Sequence, residues 1–166
     1  MTHIIEATQS AKRFRVTIIV SKYHDFVTDR LQKGALAALE SAGVPDGGIT
    51  VVRVPGAFEI PAAARHAAEA GVVDAVVCLG CLIRGETSHF DYIATAVSQG
   101  VAAAAADTGV PMTFGVLTTN SAEEALARAG DGPSNKGWEA ATAALEMAEI
   151  VAKLRESGPW SADGRP

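Results

Sequence analysis

The segment 84–92, with the sequence RGETSHFDY, combines residue types that can bind an anion and carry a proton. An apolar, strand-like run ends there and a helix-like run begins, so backbone N–H groups and the helix dipole can face a negatively charged ligand. His89 lies directly behind, and an imidazole with an ordinary pKa of about 6.5 can accept and donate a proton near neutrality. The segment predicts a phosphate site beside a proton carrier, and a capping or surface histidine is the alternative.

A second segment with chemical potential is the loop 55–61, PGAFEIP, which two prolines bracket. The fixed φ of proline would stiffen this loop. Phe58 and Glu59 would then present an apolar wall and a hydrogen-bond acceptor, the mixture that small-molecule sites use. A loop shaped only for packing is the alternative.

Cys78 and Cys81 form a C-x-x-C pair of the kind found in redox and metal sites. They lie in a strand-like run, so their side chains should point to opposite faces. No second pair and no histidine at ligand spacing accompanies them. The sequence therefore favours two small buried apolar residues, and no metal is expected.

The chain has 166 residues, of which 48% are hydrophobic, and this predicts one domain with a buried core. A net charge of −5 argues against a nucleic-acid surface, which usually carries clustered lysine and arginine. No apolar run approaches the roughly 20 residues of a membrane span, and the first residues lack the pattern of a secretion signal. We expect a soluble cytoplasmic protein with no nucleic-acid and no membrane partner.

Strand-like and helix-like segments alternate along the chain with short connections. Apolar and β-branched runs predict strands at 14–20, 49–54, 72–81 and 112–117. Helical spacing of apolar residues predicts helices at 25–43, 60–70, 90–107, 121–128 and 135–155. The alternation predicts an α/β fold, a three-layer α/β/α sandwich around a central four-stranded parallel sheet.

Local signals mark several of these boundaries. Gly43 and Gly71 are expected to end the first two helices, and Ser121 with Glu124 forms a capping box at the start of the fourth. A single domain is expected at 13–156, between flexible segments at 1–12 and 157–166.

The loops after the predicted strands contain most of the polar and aromatic residues. Tyr23 and His24 follow the first strand, the loop 55–61 the second, residues 82–89 the third and 118–120 the fourth. Ligands of parallel sheets bind beyond the carboxyl ends of the strands. We therefore expect these residues to converge at one edge of the sheet.

Four blocks of this sequence resemble the 6,7-dimethyl-8-ribityllumazine synthase family in their order and spacing. The blocks are VPGAFEIP at 54–61, LIRGETSHFDY at 82–92, TFGVLT at 113–118, and RAG with NKGWE at 128–130 and 135–139. The resemblance extends over residues 13–154. It implies a flavodoxin-like fold that assembles into pentamers or an icosahedral 60-mer, and it implies no metal and no organic cofactor.

The reaction that this resemblance implies is the penultimate step of riboflavin biosynthesis. 5-Amino-6-(D-ribitylamino)uracil condenses with 3,4-dihydroxy-2-butanone 4-phosphate to give 6,7-dimethyl-8-ribityllumazine, phosphate and water. The resemblance also implies riboflavin synthase as a protein partner. A flavin- or lumazine-binding protein, or an assembly-only paralogue without turnover, is the alternative.

The resemblance further implies roles for individual residues. His89 would move protons, and the guanidinium of Arg128 would hold the phosphate in a bidentate manner. The backbone of Gly85, Glu86 and Thr87, with the Thr87 hydroxyl, would complete the phosphate site. The substrate-binding residues would be Tyr23, Ala57, Phe58, Glu59, Cys81, Leu82, Ile83, Phe114 and Lys136.

Some of these positions also have structural interpretations. Arg128 could interact with a helix dipole, Phe114 could pack in the core, and Lys136 could be a solvated surface lysine. His24 and Ser88 depart from the family pattern, where asparagine and proline are frequent. His24 adds a titratable group, which predicts a second ionisation near neutrality in the pH profile.

Assembly enters the expected function because active sites of this family form between neighbouring subunits. One chain would supply the loops after its first three strands, and the next chain would supply Phe114, Arg128 and Lys136. The alanine-rich run 102–106 fits close helix packing around a symmetry axis, and helix propensity explains it equally well. The segment 131–134 leaves the choice between pentamer and shell open.

Overall fold

A computed structural model describes residues 2–8, 11 and 13–157 of the chain. Within these residues four strands form one sheet, namely β1 Val16–Ser21, β2 Ile49–Val54, β3 Ala75–Ile83 and β4 Met112–Thr119. Their order across the sheet is β2-β1-β3-β4, and all neighbouring pairs are parallel. The predicted four-stranded parallel sheet is confirmed.

The helices form two layers, one on each side of this sheet. Their bounds are α1 Asp25–Ser41, α2 Ile60–Glu69, α3 His89–Thr108, α4 Ala122–Ala127 and α5 Lys136–Glu156. Apolar side chains of α1 and α5 pack on one face of the sheet, and those of α2 and α3 pack on the other. The predicted three-layer α/β/α sandwich is therefore confirmed.

Burial of both faces explains the apolar character of the central strands. In β1, Ile18 contributes to the core under α1 and α5, while its neighbour Ile19 contributes to the core under α2 and α3. Alternate residues of a strand face opposite sides, so a strand that is covered twice needs apolar residues throughout.

The same alternation separates the two cysteines of β3. Cys81 belongs to the core under α1 and α5, whereas Cys78 belongs to the core under α2 and α3. Burial raises the pKa of Cys78 to about 12 and that of Cys81 to about 11. The prediction of opposite faces is confirmed, and both thiols are free and protonated at neutral pH.

The predicted strand boundaries are wrong at several ends. Strand β3 begins at Ala75 because Asp74 turns the chain before it, donating its N–H to the Arg15 carbonyl and accepting the Arg15 N–H with its carboxylate. Strands β3 and β4 extend together to the pair Ile83 and Thr119. The apolar pattern could not show this extension, since the last residues of β4 are polar and are held by backbone pairing.

The N-terminal residues 2–8 lie against the last helix. The Thr8 N–H donates to the Glu149 carboxylate over 2.8 Å, and the Lys153 ammonium donates to the Glu6 carbonyl over 2.8 Å. Residues 158–166 of the predicted C-terminal segment lie outside the described residues. The proposed domain limits and the flexibility of both ends remain predictions.

None of the helices in the described part of the chain is long and apolar enough to cross a bilayer.

Candidate active site

A cleft of about 690 Å³ opens where the loops after β1, β2 and β3 meet. We call it the switch-point cleft, because it lies at the carboxyl ends of β1 and β3, where the strand order reverses direction. It is lined by Tyr23, His24, Gly56, Ala57, Phe58, Glu59, Cys81, Leu82, Ile83, Gly85, Thr87, His89, Phe90 and Ile93. The predicted convergence is confirmed for these three loops, whereas residues 118–120, which were expected in the same place, do not line this cleft.

The loop after β1 is fixed to the loop after β2 by its backbone. The Lys22 N–H donates to the Val54 carbonyl over 2.8 Å, and the Tyr23 N–H donates to the Pro55 carbonyl over 3.1 Å. The Tyr23 side chain nevertheless remains 68% exposed, so its ring has a free face for a ligand. Phe58, on the neighbouring loop, is also exposed and lines the same cleft.

The loop after β2 is braced by Glu59. One carboxylate oxygen of Glu59 accepts the Gly56 N–H over 2.9 Å, and the Glu59 N–H donates back to the Gly56 carbonyl. A carboxylate has about four acceptor sites, so this brace leaves capacity for further hydrogen bonds. Glu59 can therefore stiffen the loop and accept from a ligand at the same time.

The loop after β3 presents His89 at the first position of α3. The Thr87 hydroxyl oxygen accepts the His89 N–H over 3.4 Å, which leaves the hydroxyl proton available for an anion. The exposed N-terminus of this 20-residue helix provides the positive end of its dipole. Glu86 is exposed and does not line the cleft through its side chain, so any part it takes is through its backbone.

Arg84 holds the turn that carries His89. Its guanidinium makes two hydrogen bonds to the Asp91 carboxylate, at 3.0 and 3.2 Å, and lies 4.4 Å from the centre of the Phe90 ring. The backbone N–H of Arg84 also donates to the Thr119 carbonyl. These contacts give Arg84 a structural role beneath the turn.

A second cleft, of about 560 Å³, lies along β4 and the start of α5. We call it the β4 cleft. Its lining includes Phe114, Arg128, Lys136, Glu139 and residues of β4. Phe114 is 44% exposed, so the alternative of a core position for this ring is wrong.

Arg128 and Lys136 are fixed relative to one another by the backbone. The Lys136 N–H donates to the Arg128 carbonyl over 2.9 Å, and an Arg128 guanidinium N–H donates to the Glu124 carbonyl over 2.9 Å. The Lys136 ammonium pairs with the Glu139 carboxylate at 2.8 Å. The β4 cleft thus presents one guanidinium and one ammonium on a defined frame.

One of the two hydrogen bonds of the capping box predicted for α4 is present. The Ser121 hydroxyl accepts the Glu124 N–H over 3.1 Å. The Glu124 carboxylate accepts from the N–H of Asn120, one residue earlier than a capping box requires. This cap fixes the short helix that ends at Arg128.

Asn135 is a positioning residue that the sequence reasoning missed. It is buried, its side-chain oxygen accepts the Gly137 and Trp138 N–H groups, and its amide donates to the carbonyls of Arg30 and Gly130. An asparagine just before a helix that starts with Lys-Gly is an N-cap signal, which was available in the sequence. The hydrogen bonds of Asn135 to Arg30 in α1 and to Gly130 depend on tertiary structure, so the sequence could not predict them.

His24 carries an unusual backbone conformation at the edge of the switch-point cleft. Its φ of 60° and ψ of 47° lie in the left-handed region. Desolvation by burial lowers the pKa of its imidazole below the ordinary value of 6.5. The ionisation that the sequence predicted near neutrality is therefore shifted to lower pH.

One protomer does not bring all the expected site residues into one place. His89 and Tyr23 line the switch-point cleft, while Phe114, Arg128 and Lys136 line the β4 cleft. Among the described residues, no group of three or more side chains is arranged to hold a metal ion. The switch-point cleft therefore holds an imidazole, and the β4 cleft holds a guanidinium that is bonded to the Glu124 carbonyl.

Comparison with known proteins identifies the family of this chain. The family model for 6,7-dimethyl-8-ribityllumazine synthase matches residues 13–152. A 6,7-dimethyl-8-ribityllumazine synthase of Desulfatibacillum aliphaticivorans is 46% identical over 155 residues, which cover 93% of this chain and 100% of that protein. Each sequence block that carries the resemblance contributes residues to one of the two clefts, and the family match covers both clefts. This chain belongs to the 6,7-dimethyl-8-ribityllumazine synthase family.

Proposed function

We propose that this protein condenses 5-amino-6-(D-ribitylamino)uracil with 3,4-dihydroxy-2-butanone 4-phosphate, in a site that two neighbouring subunits complete. Membership of the family supports the reaction. The observation that supports the shared site is the division of the expected residues between two clefts of one chain. The family reaction is favoured over a binding-only or assembly-only protein.

The phosphate of the butanone substrate binds at the start of α3. The backbone of Gly85, Glu86 and Thr87 surrounds it there, and the Thr87 hydroxyl donates to one of its oxygens. Arg128 from the neighbouring subunit supplies a bidentate guanidinium for the same anion. A phosphate held in this way can be released as an anion without further protonation.

The pyrimidine substrate binds against the aromatic residues of the switch-point cleft. Tyr23 stacks on the flat ring, and Phe58 with the neighbour's Phe114 closes the sides. The ribityl chain donates to Glu59 and to backbone carbonyls, while Lys136 lies at the outer edge. The backbones of Ala57, Cys81, Leu82 and Ile83 provide the donors and acceptors for the ring edge.

His89 transfers the protons that the reaction requires. The 5-amino group of the uracil adds to the ketone, and loss of water from the adduct gives an imine. Removal of the proton on C3 then breaks the C4–O bond, and phosphate leaves with the bonding electrons to give an enol. The enol tautomerises to a ketone at C3 with a methyl group at C4, and the ribityl-bearing nitrogen adds to this ketone and closes the second ring with loss of water. An imidazole beside the leaving phosphate can take and return a proton at each stage.

Holding both reactants in register contributes much of the acceleration. Well-oriented reactants can have effective molarities of about 10⁵ M or more, so loss of His89 should slow the reaction rather than abolish it. A binder of ribityl-pyrimidines would have no need for a phosphate site. The anion-facing loop and Arg128 therefore support an enzyme.

A site that two chains complete requires assembly, and the family resemblance supports a pentamer. A ring of five heterologous contacts would place each β4 cleft beside a neighbour's switch-point cleft. We extend this proposal to an icosahedral 60-mer, which twelve such rings would form. A cytoplasmic location and association with riboflavin synthase are also proposed. Sedimentation of the purified protein tests the size of the assembly.

The proposed function is tested by mixing the purified protein with both substrates and measuring lumazine and released phosphate against a protein-free control. Acceleration with equal yields of both products is expected. Arg128→Ala should reduce it strongly, while Arg65→Ala serves as the matched control, because Arg65 is a partly exposed arginine on α2 that lines neither cleft. No acceleration by an assembled sample would overturn the proposal and favour a binding protein.

A further inference from the structure

The ring of His24 lies between two other aromatic rings at the mouth of the switch-point cleft. Its centre is 4.5 Å from that of Tyr23, with the planes at 61°, and 5.7 Å from that of Phe26, with the planes at 87°. Both are edge-to-face contacts, the arrangement that aromatic quadrupoles favour. The three residues form a short aromatic ladder, Tyr23–His24–Phe26, which ends on the residue expected to stack on substrate.

The backbone conformation of His24 is what allows this ladder. Among the residues that the structure describes, His24 is the one non-glycine residue whose φ is positive. Its carbonyl nevertheless caps α1, accepting the N–H groups of Val27 and Thr28 at 2.9 and 3.0 Å. A glycine would make the same turn without strain from a Cβ atom, so the imidazole is present at a conformational cost.

Tyr23 needs such a support because little else restrains its ring. The Tyr23 backbone is fixed by Pro55, but its side chain is 68% exposed. Exposed side chains change rotamer on the picosecond to nanosecond scale, and ordering one on ligand binding costs affinity. A ring that is already held by His24 would bind a flat heterocycle with a smaller entropic cost.

We infer that His24 is a positioning residue, which holds the Tyr23 ring in the orientation that stacks on the pyrimidinedione. The inference rests on the proposed function for the identity of the heterocycle. It does not place His24 on the reacting atoms. His24 acts through Tyr23, so it determines affinity for the pyrimidine substrate and leaves the phosphate-bearing substrate largely unaffected.

The test compares His24→Asn, which retains the left-handed turn without a ring, with His66→Asn as a matched control. His66 is an exposed histidine on α2 that lines neither cleft. At a pH where histidine is neutral, His24→Asn should raise KM for the ribitylaminouracil about 3- to 10-fold, the range that aromatic pairs contribute. KM for the butanone phosphate should change less than about 2-fold, and the melting temperature should be equal or higher.

A loss of fold or a general loss of affinity would look different. Equal rises in both KM values, or a lowered melting temperature with them, would overturn the inference in favour of a purely structural role. So would an unchanged KM for the uracil. In a Tyr23→Ala background, His24→Asn should have no further effect, because residues that act through one another are not additive.

Direct binding separates this inference from the proposed function. Titration with 6,7-dimethyl-8-ribityllumazine, followed by its fluorescence, measures stacking affinity without turnover. Weaker binding to His24→Asn than to His66→Asn supports the inference whether or not the wild-type protein is active. Equal binding overturns it, and inactivity of the wild type overturns only the proposed function.

Discussion

The carboxamide of Asn135 occupies the space that a side chain on Gly34 would need. A methyl group added to Gly34 would overlap the carboxamide oxygen and carbon of Asn135. Helix α1 can therefore approach the start of α5 only because residue 34 is glycine. The contact fixes Asn135, and Asn135 in turn fixes the turn from Gly130 to Lys136 that follows Arg128.

Gly34→Ala should lower the free energy of unfolding by about 1–3 kcal/mol, the usual cost of overpacking a buried contact. Urea denaturation at one fixed protein concentration measures the change. Gly47→Ala is the matched control, because a methyl group there meets no atom within 4 Å and should change stability by less than about 0.5 kcal/mol. Equal midpoints for the two variants would contradict the close contact.

Gly85→Ala should weaken the phosphate site without loosening the fold. A methyl group on Gly85 meets nothing within 4 Å in the protomer, and no positive φ demands glycine there. The glycine is then explained by close approach of a ligand to the backbone. KM for the butanone phosphate should rise about 10-fold, equivalent to about 1.4 kcal/mol, while the urea midpoint stays at the wild-type value. A normal KM would argue that the anion binds elsewhere.

The fold was predictable because its signals are local. A strand such as β3 is apolar throughout since both faces are covered, and Gly71, with a φ of 78°, ends α2 as a left-handed residue should. The end of β4 at Thr119 was not predictable in this way. Its polar residues are strand because β3 runs beside them, and that pairing is not written in their own sequence.

The candidate site was predictable only in part for a related reason. The topology brings Tyr23, Glu59 and His89 together, and the position of loops after parallel strands follows from the fold class. The role of Asn135 was missed because its partners, Arg30 and Gly130, lie far from it in sequence or in an irregular turn. The His24 ladder likewise depends on a left-handed conformation that its residue type does not require.

His24 should make the stability of the protein fall at acid pH. Its pKa in the folded state is below the ordinary value of 6.5, because desolvation by burial disfavours the charged form. As pH falls below about 6.5, the unfolded chain binds a proton at this residue before the folded chain does, so stability is lost until the folded pKa is passed. Other titratable groups lining the cleft are Tyr23, Glu59, Cys81 and His89.

The free energy of unfolding, measured from pH 8 to pH 5, should therefore fall more steeply for the wild type than for His24→Asn. The substitution also changes backbone strain, but this offset does not depend on pH. His66→Asn should keep the wild-type slope. Parallel curves for all three proteins would show that the pKa of His24 is the same in the folded and the unfolded chain, which would contradict the prediction.

Mixing impaired subunits tests whether two chains share one site. His89→Gln removes the proton carrier of the switch-point cleft, and Arg128→Ala removes the guanidinium of the β4 cleft. Each homogeneous assembly should be impaired at every site. If the two variants are refolded together in equal amounts, roughly one quarter of the interfaces will combine two unaltered halves, because each half is drawn at random. Activity should therefore return to about a quarter of the wild-type value, as measured by lumazine formation.

The double variant His89→Gln with Arg128→Ala, refolded with wild type, should also give about a quarter and calibrates the mixing. If the first mixture stays at the residual activity of the two homogeneous variants while the second shows the expected activity, the site lies within a single chain and the shared-site proposal is wrong.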